Sequence, residues 1–298
     1  AWKSAYNMRH TFNLSGGNDK NSYFANVSYY TQDGNIGRLD YKKWTYRAGL
    51  DATVAAGLKA SLQVSGIYNT EFAFNNKIGG EQIENDYRNL LKTPRYMPMY
   101  IDGRPVKLNG PTGNNIANYH FFELNRLNNY KDKEGHTLSL NAALEYEVPF
   151  IKGLRLRGSF ARNSGSSHES RIGSRYWLWR FNGTGQNGHI YDNAPVRDSA
   201  QYNNDNAVRF FNHHNVLVQS NFSVMYNRSF GEHEISAYFG VERSETHSSQ
   251  EDQTKENPSA FTNGQFNTAF GAIDARTFAY EAGSLGYVGR LNYNYAGK

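Results

Sequence analysis

The sequence predicts an all-β protein, a section of a transmembrane antiparallel β-barrel of about nine strands, with short turns on one edge and long loops on the other. Three observations predict it. Several segments alternate apolar and polar residues for longer than soluble strands do. The connections between them alternate short and long. No run of the 298 residues approaches the roughly 18 consecutive apolar residues that a membrane-spanning helix requires.

The alternation is clearest in the third and fourth strands. Trp44, Tyr46, Ala48, Leu50, Ala52 and Val54 fall on one face, with Thr45, Arg47, Gly49, Asp51 and Thr53 on the other. Leu58, Ala60, Leu62, Val64 and Tyr68 then oppose Lys59, Ser61, Gln63 and Ser65. A period of two marks a sheet wet on one face. These runs reach roughly 11 to 13 residues, whereas soluble strands average about 5 or 6 and a tilted strand crosses a bilayer in about 9 to 11.

The first strand, 10–17, sets Phe12 and Leu14 against Asn13 and Ser15 and ends in the polar turn Asn18-Asp19-Lys20-Asn21. The second, 22–31, sets Tyr23, Ala25, Val27 and Tyr29 against Asn26 and Ser28, then turns through Asp33-Gly34. From 69 to 135 sustained alternation is lost. Ile83, Tyr87, Leu90 and Leu91 suggest one short helix over 81–91 ended by Pro94, and the rest reads as loop punctuated by Pro and Gly.

Alternation returns over 137–148, where Leu138, Leu140, Ala142, Leu144 and Tyr146 oppose Ser139, Asn141, Glu145 and Glu147. After a turn at 149–153, Leu154, Leu156 and Phe160 oppose Arg155, Arg157 and Ser159. A second long connection is expected over 163–214. Val216, Val218, Phe222, Val224 and Tyr226 form strand seven, which turns at 227–231 into strand eight, with Ile235, Ala237, Phe239 and Val241 on one face. A third long connection over 244–283 leads to Leu285, Tyr287, Leu291, Tyr293 and Tyr295 in the last strand.

Short connections alternating with long ones are what an outer-membrane barrel produces, short on the periplasmic side and long outside. Lipid then fixes the facing, since a one-residue slip of strand three would put Arg47 and Asp51 against acyl chains. Trp44, Leu50, Leu62, Leu140, Leu156 and Val218 are expected to face lipid, and Arg47, Gln63, Glu145, Arg157 and Gln219 the lumen. An odd count cannot close in the usual way, so the first and last strands are expected to pair with strands outside these residues.

Composition bounds the alternatives. The hydrophobic fraction is 38%, roughly 40% with Gly counted in place of Tyr, below the 45–50% of globular domains. Aromatic residues, with 22 Tyr and 18 Phe, gather near predicted strand ends where interfacial girdles lie. Without cysteine there is neither disulfide nor thiolate metal site. The net charge of +5 is dispersed over the polar faces and loops rather than gathered into a patch, which argues against nucleic acid as a partner. Residues 1–10 show no secretory signal pattern.

These residues carry a resemblance. His10-Thr11-Phe12-Asn13-Leu14-Ser15-Gly16-Gly17 with Asp19-Lys20, the tyrosine-rich run from Tyr23 to Tyr30, Asp33-Gly34, and Tyr41 through Leu50 resemble the early barrel of SusC/RagA-like TonB-dependent outer-membrane transporters of the Bacteroidota. Pro98-Met99-Tyr100-Ile101-Asp102-Gly103 is similar to a loop of that family, and the run from Ser284 to Tyr295 to one of its strands. The resemblance implies a plugged barrel of about 22 strands in the cell outer membrane. It further implies nutrient import of oligosaccharides or peptides, energy from TonB-ExbB-ExbD through a plug, and a SusD-like surface lipoprotein as partner. The whole of 1–298 reads as a partial barrel domain, without counterparts of the plug or the closing C-terminal strands. The alternatives are a passive porin or a barrel adhesin without energy coupling.

Candidate chemistry is sparse. Gly183-Thr184-Gly185-Gln186-Asn187-Gly188 matches a dinucleotide fingerprint as a string but lacks the flanking strand and helix, so it reads as loop. His213 and His214, as neighbours, point to opposite faces of any strand and read as solvated loop residues rather than a metal pair. Glu145 and Glu147 share a face but read as lumen-wall charges, and no nucleophile and base converge, so no enzyme, cofactor or metal is expected. The stretch that points to ligand binding is Arg175-Tyr176-Trp177-Leu178-Trp179-Arg180. Flat aromatic faces flanked by guanidinium groups in an outer loop suit a sugar ring or a peptide, and Arg175, Tyr176, Trp177, Trp179 and Arg180 are the candidate substrate-binding residues.

Overall fold

The computed structural model describes residues 3–75, 87–88, 90–91, 97–107, 118–184, 186, 188–259 and 262–296. Nine of its strands form one antiparallel sheet in chain order: β1 (Asn7–Gly17), β2 (Asn21–Asp33), β3 (Leu39–Ala55), β4 (Leu58–Phe74), β7 (Tyr130–Glu147), β8 (Leu154–Phe181), β9 (Val196–Phe230), β10 (His233–Glu256) and β11 (Ile273–Tyr295). The two-residue strands β5 (Tyr100–Ile101) and β6 (Arg104–Pro105) make a separate hairpin, and a short helix spans Phe121–Arg126. Tyr87, Arg88, Leu90 and Leu91 are helical, as expected; the rest of the helix predicted over 81–91, apart from these four, lies outside the described residues.

Short turns join the strands on one edge. Asn18 closes the first, its Oδ1 accepting from the backbone N–H groups of Lys20 and Asn21, each at 2.9 Å. Between β7 and β8 Gly153 takes φ +89°, and a Cβ there would lie 1.9 Å from the carbonyl oxygen of Asn227, so only glycine fits. The β9–β10 turn falls at 231–232, slightly later than the sequence suggests, because the ladder continues to Phe230 pairing His233.

On the opposite edge the strands outrun their predicted ends. The stretches 163–214 and 244–283, read as connections, are largely strand: β8 runs on to Phe181, β9 begins at Val196, β10 reaches Glu256 and β11 begins at Ile273. The connections there shrink to 34–38, 75–129, 182–195 and 257–272, the last three longer than any turn opposite. The physical reason is that alternation exists only where one face meets lipid and the other water. Above the membrane both faces meet water or packed loops, so a ladder such as Ser166, Ser167 and His168 against His214, His213 and Asn212 carries no dyad pattern.

Register, rather than exposure, separates the two faces. Both faces of this sheet are open: Trp44, Leu50 and Leu62 are 46–47% exposed, and Arg47 and Arg157 are exposed too. Directly paired residues share a face, and the ladders set Leu50 against Leu62, Val64 against Leu140, and Tyr146 against Leu156. The other face carries Glu145 between Arg155 (3.4 Å) and Arg157 (3.9 Å), and Asn221 Nδ2 donating to Ser159 Oγ at 3.3 Å. Val218, expected to face lipid, pairs with Arg162 and Glu245 and stands at the upper rim of the apolar band.

That band runs diagonally. On β4 it rises to Tyr68, whereas on β10 it ends at Val241, whose hydrogen-bonded row passes through Phe222, Gly158 and Leu144 to Ala60. A horizontal slab of lipid crossing tilted strands cuts the rows in this stepped manner.

The buried core lies beyond the band. Ile36, Phe74, Tyr119, Phe121, Leu124, Tyr176 and Leu178 form one cluster, and Met97, Ile101, Val106, Phe181 and Ala194 a second. Both involve the upper parts of β8 and β9, where β7 has ended at its Tyr130–Ile172 pair. Val106 fills part of the edge thus left free, bridging Trp179 in parallel, with Lys107 N donating to Trp179 O at 2.7 Å.

Candidate functional site

Arg175 to Arg180 stand on a strand, not in the loop that their lack of alternation suggested. Above Ile172 the ladder to β9 jumps from Val208 to Asn204, so β9 carries two extra residues, Asp205 (φ 72°) and Asn206 (φ 45°). Gly173 permits this, since a Cβ on it would meet the carbonyl oxygen of Asn204 at 2.2 Å. The bulge is held by polar partners: Arg209 Nη2 donates to Asp205 Oδ1 at 2.9 Å, and the Asn75 side chain donates to Ile172 O at 3.1 Å.

From there β8 and β9 continue as a two-stranded ribbon whose faces differ. On one face Tyr176 and Leu178 are 2% and 0% exposed in the first cluster, and Arg180 Nε donates to Asp198 Oδ1 at 2.5 Å. The Tyr176 hydroxyl donates to the Asn118 carbonyl, and burial, with Tyr202 and Glu123 nearby, raises its pKa well above the ordinary range, so it stays protonated. On the other face Arg175 pairs with Asn203, Trp177 with Gln201 and Trp179 with Ser199. Trp177 is 48% exposed there.

The β5–β6 hairpin approaches the second face. Asp102 (φ 48°) and Gly103 (φ 72°) form its turn, which sets Arg104 with its guanidinium carbon 4.9 Å from the centre of the Trp179 ring. The helix Phe121–Arg126 supplies the third wall. His120 caps it, Nδ1 accepting from Glu123 N at 3.0 Å while Nε2 donates to Met99 O at 2.8 Å. Burial lowers the His120 pKa, against hydrogen bonding to Met99 and the charge of Glu123, which keeps this neutral tautomer. Glu123 is held by Arg126 (2.7 and 2.9 Å) and by the Tyr100 hydroxyl (3.3 Å), and the Tyr100 pKa is pushed up to about 12, first by burial and then by Glu123.

The result is a recess of about 460 Å³ that brings together Arg175, Tyr176, Trp177 and Trp179 with Arg104, Glu123 and Arg126. Arg180, the fifth predicted residue, is not among them: it stands farther along the ribbon and its guanidinium is engaged by Asp198. Arg104, Glu123 and Arg126 were missed by the pattern reading. The Asp102-Gly103 dipeptide was the available signal for the hairpin that carries Arg104.

Elsewhere the other candidates disperse. His213 and His214 lie on β9, not in a loop, on opposite faces, and among the described residues no group of His, Asp and Glu is arranged to hold a metal ion. Thr184 and His189 pair across the 182–195 connection, with Gly185 and Asn187 outside the described residues.

Comparison with known proteins bears on this architecture. No family model matches the chain. A TonB-dependent receptor, P3 of Formosa agariphila, is 24% identical over 302 residues, covering 96% of this chain and 26% of that protein. The solved RagAB peptide transporter superposes with a TM-score of 0.65 at 17% identity, over 98% of this chain and 30% of its own. The RagAB peptide importer in its closed-closed state gives 0.62, over 99% and 30%. The chain has the barrel fold of the SusC/RagA-like TonB-dependent receptors. It spans between a quarter and a third of the length of these relatives. In a TonB-dependent receptor barrel the short turns lie at the periplasmic edge and the β8–β9 ribbon stands outside the membrane.

Proposed function

We propose that this chain is a stretch of the wall of an energised nutrient importer in the outer membrane. It takes up oligosaccharides or peptides, drawing energy through TonB-ExbB-ExbD and working with a SusD-like surface lipoprotein. The observation that carries this reading is the superposition of nearly the whole chain on the RagAB importers, with the tryptophan and arginine recess on the outer extension of the wall. The wall itself supplies passage and recognition and performs no chemical step.

The test is uptake of fluorescent oligosaccharide and peptide pools by cells carrying the full-length receptor, with TonB present or deleted. Accumulation that requires both receptor and TonB supports the reading. Receptor-dependent uptake that persists without TonB makes this a porin wall, and cell adhesion without any uptake makes it an adhesin.

A further inference from the structure

The charges of the recess do not balance. Glu123 is answered by Arg126, but among the described residues neither Arg104 nor Arg175 has a carboxylate within ion-pair distance. Arg175 is occupied by a neutral partner, Nη2 donating to Asn257 Oδ1 at 2.6 Å, which ties the ribbon to the 257–272 connection. Arg104 lies over Trp179, and among the described residues its guanidinium makes no hydrogen bond; it stands at the rim of a hairpin turn where its backbone is fixed. Two residues from Trp179 on the same face, Trp177 offers a half-exposed ring beside the exposed Gln201 amide.

A guanidinium lying over an aromatic face keeps its N–H groups available at its edge, and its planar fork matches a carboxylate bidentately. An adjacent open ring and amide suit the next flat unit of an oligomer. We infer that this recess selects oligomers bearing a carboxylate, which Arg104 binds while Trp177 and Gln201 hold the neighbouring unit. The inference rests on the import reading above and adds the charge of what is recognised. The carboxylate has two sources, a peptide C-terminus or an acidic sugar.

The experiment uses the full-length receptor in detergent micelles and calorimetric titration with two matched pairs of probes: hexa-alanine and its C-terminal amide, and hexagalacturonate and maltohexaose. At least one acid is expected to bind about tenfold or more tightly than its neutral counterpart. R104Q should abolish that preference, W177A should weaken both members of the pair, and R180Q, on the far face, should change neither. The pair that responds names the source. Equal binding of acid and neutral probes, a preference that survives R104Q, or no binding of any probe overturns the inference. TonB-dependent uptake of the mixed pools, measured on the same R104Q cells, separates the two readings: uptake retained with no acid preference defeats this inference alone, whereas absence of uptake in the unsubstituted receptor defeats the import reading.

Discussion

Tyr176 and Trp177 are neighbours on β8, yet one is 2% exposed and the other 48%. The difference follows from the strand's two-residue period, which sends Tyr176 into a cluster with Phe121 and Leu124 and leaves Trp177 on the open face. Replacing Leu178, fully buried on the Tyr176 side, by Ala is therefore expected to cost about 2 to 5 kcal/mol of local packing. Trp177→Ala should cost far less. Hydrogen exchange of the amides over 176–181 in the two variants checks this: Leu178→Ala should accelerate exchange and Trp177→Ala should not.

The facing of the wall is open to a paired substitution. Leu62→Arg puts a guanidinium against acyl chains at about 2 to 4 kcal/mol near mid-depth, whereas Gln63→Arg, one position on, adds it to the polar face beside Arg47. Folded yield in lipid vesicles should fall for the first and hold for the second. Equal yields would mean that neither face meets lipid, and the reverse order that the faces have been assigned the wrong way.

Gly153 is expected to be irreplaceable. Alanine there meets both a positive φ and the Asn227 carbonyl, so Gly153→Ala should destabilise the barrel by more than about 1 kcal/mol, measured as a lower urea midpoint in vesicles.

The cap of the short helix should respond to pH. Burial sets the folded pKa of His120 below its ordinary value of about 6.5, so the unfolded form binds the proton more readily. Its contribution is fully present above about pH 6.5 and is lost as pH falls from there toward the lower folded value. Exchange of the Glu123 amide should quicken over that interval, and His120→Asn, which caps without titrating in this range, should flatten the dependence.

Among the described residues, no strand pairs with the outer edge of β1 or of β11. In lipid such edges leave backbone groups unsatisfied at several kcal/mol each. Residues 1–298 alone should accordingly fail to give a compact, SDS-resistant species on an unheated gel.

How much of this was legible depends on what surrounds each residue. Around Leu50 and Leu62, or Leu140 and Leu156, lipid on one side and water on the other impose a period of two, and the strands and their facing could be read from it. Beyond the membrane that contrast disappears. Ser166, His214 and Asn204 extend the same ladder with no pattern to announce it, so the ribbon was mistaken for loop. The aromatic and arginine content of 175–180 was visible, but which of those side chains converge was not, because that depends on alternation along a strand. The wall supplied by Arg104 and Glu123 depended on contacts between segments far apart in sequence, which local periodicity does not encode.

The two left-handed residues at Asp205 and Asn206 have a consequence for how such a wall can change over evolutionary time. Below them each residue of β9 is locked to β8 by a register that lipid polices. Above them the ribbon starts a fresh count, with Ser174 opposite Asn204. Residues gained or lost in the 182–195 connection are absorbed above this joint, without turning a single side chain in the membrane. The outer recess is thereby free to diversify while the part that lipid holds stays constant.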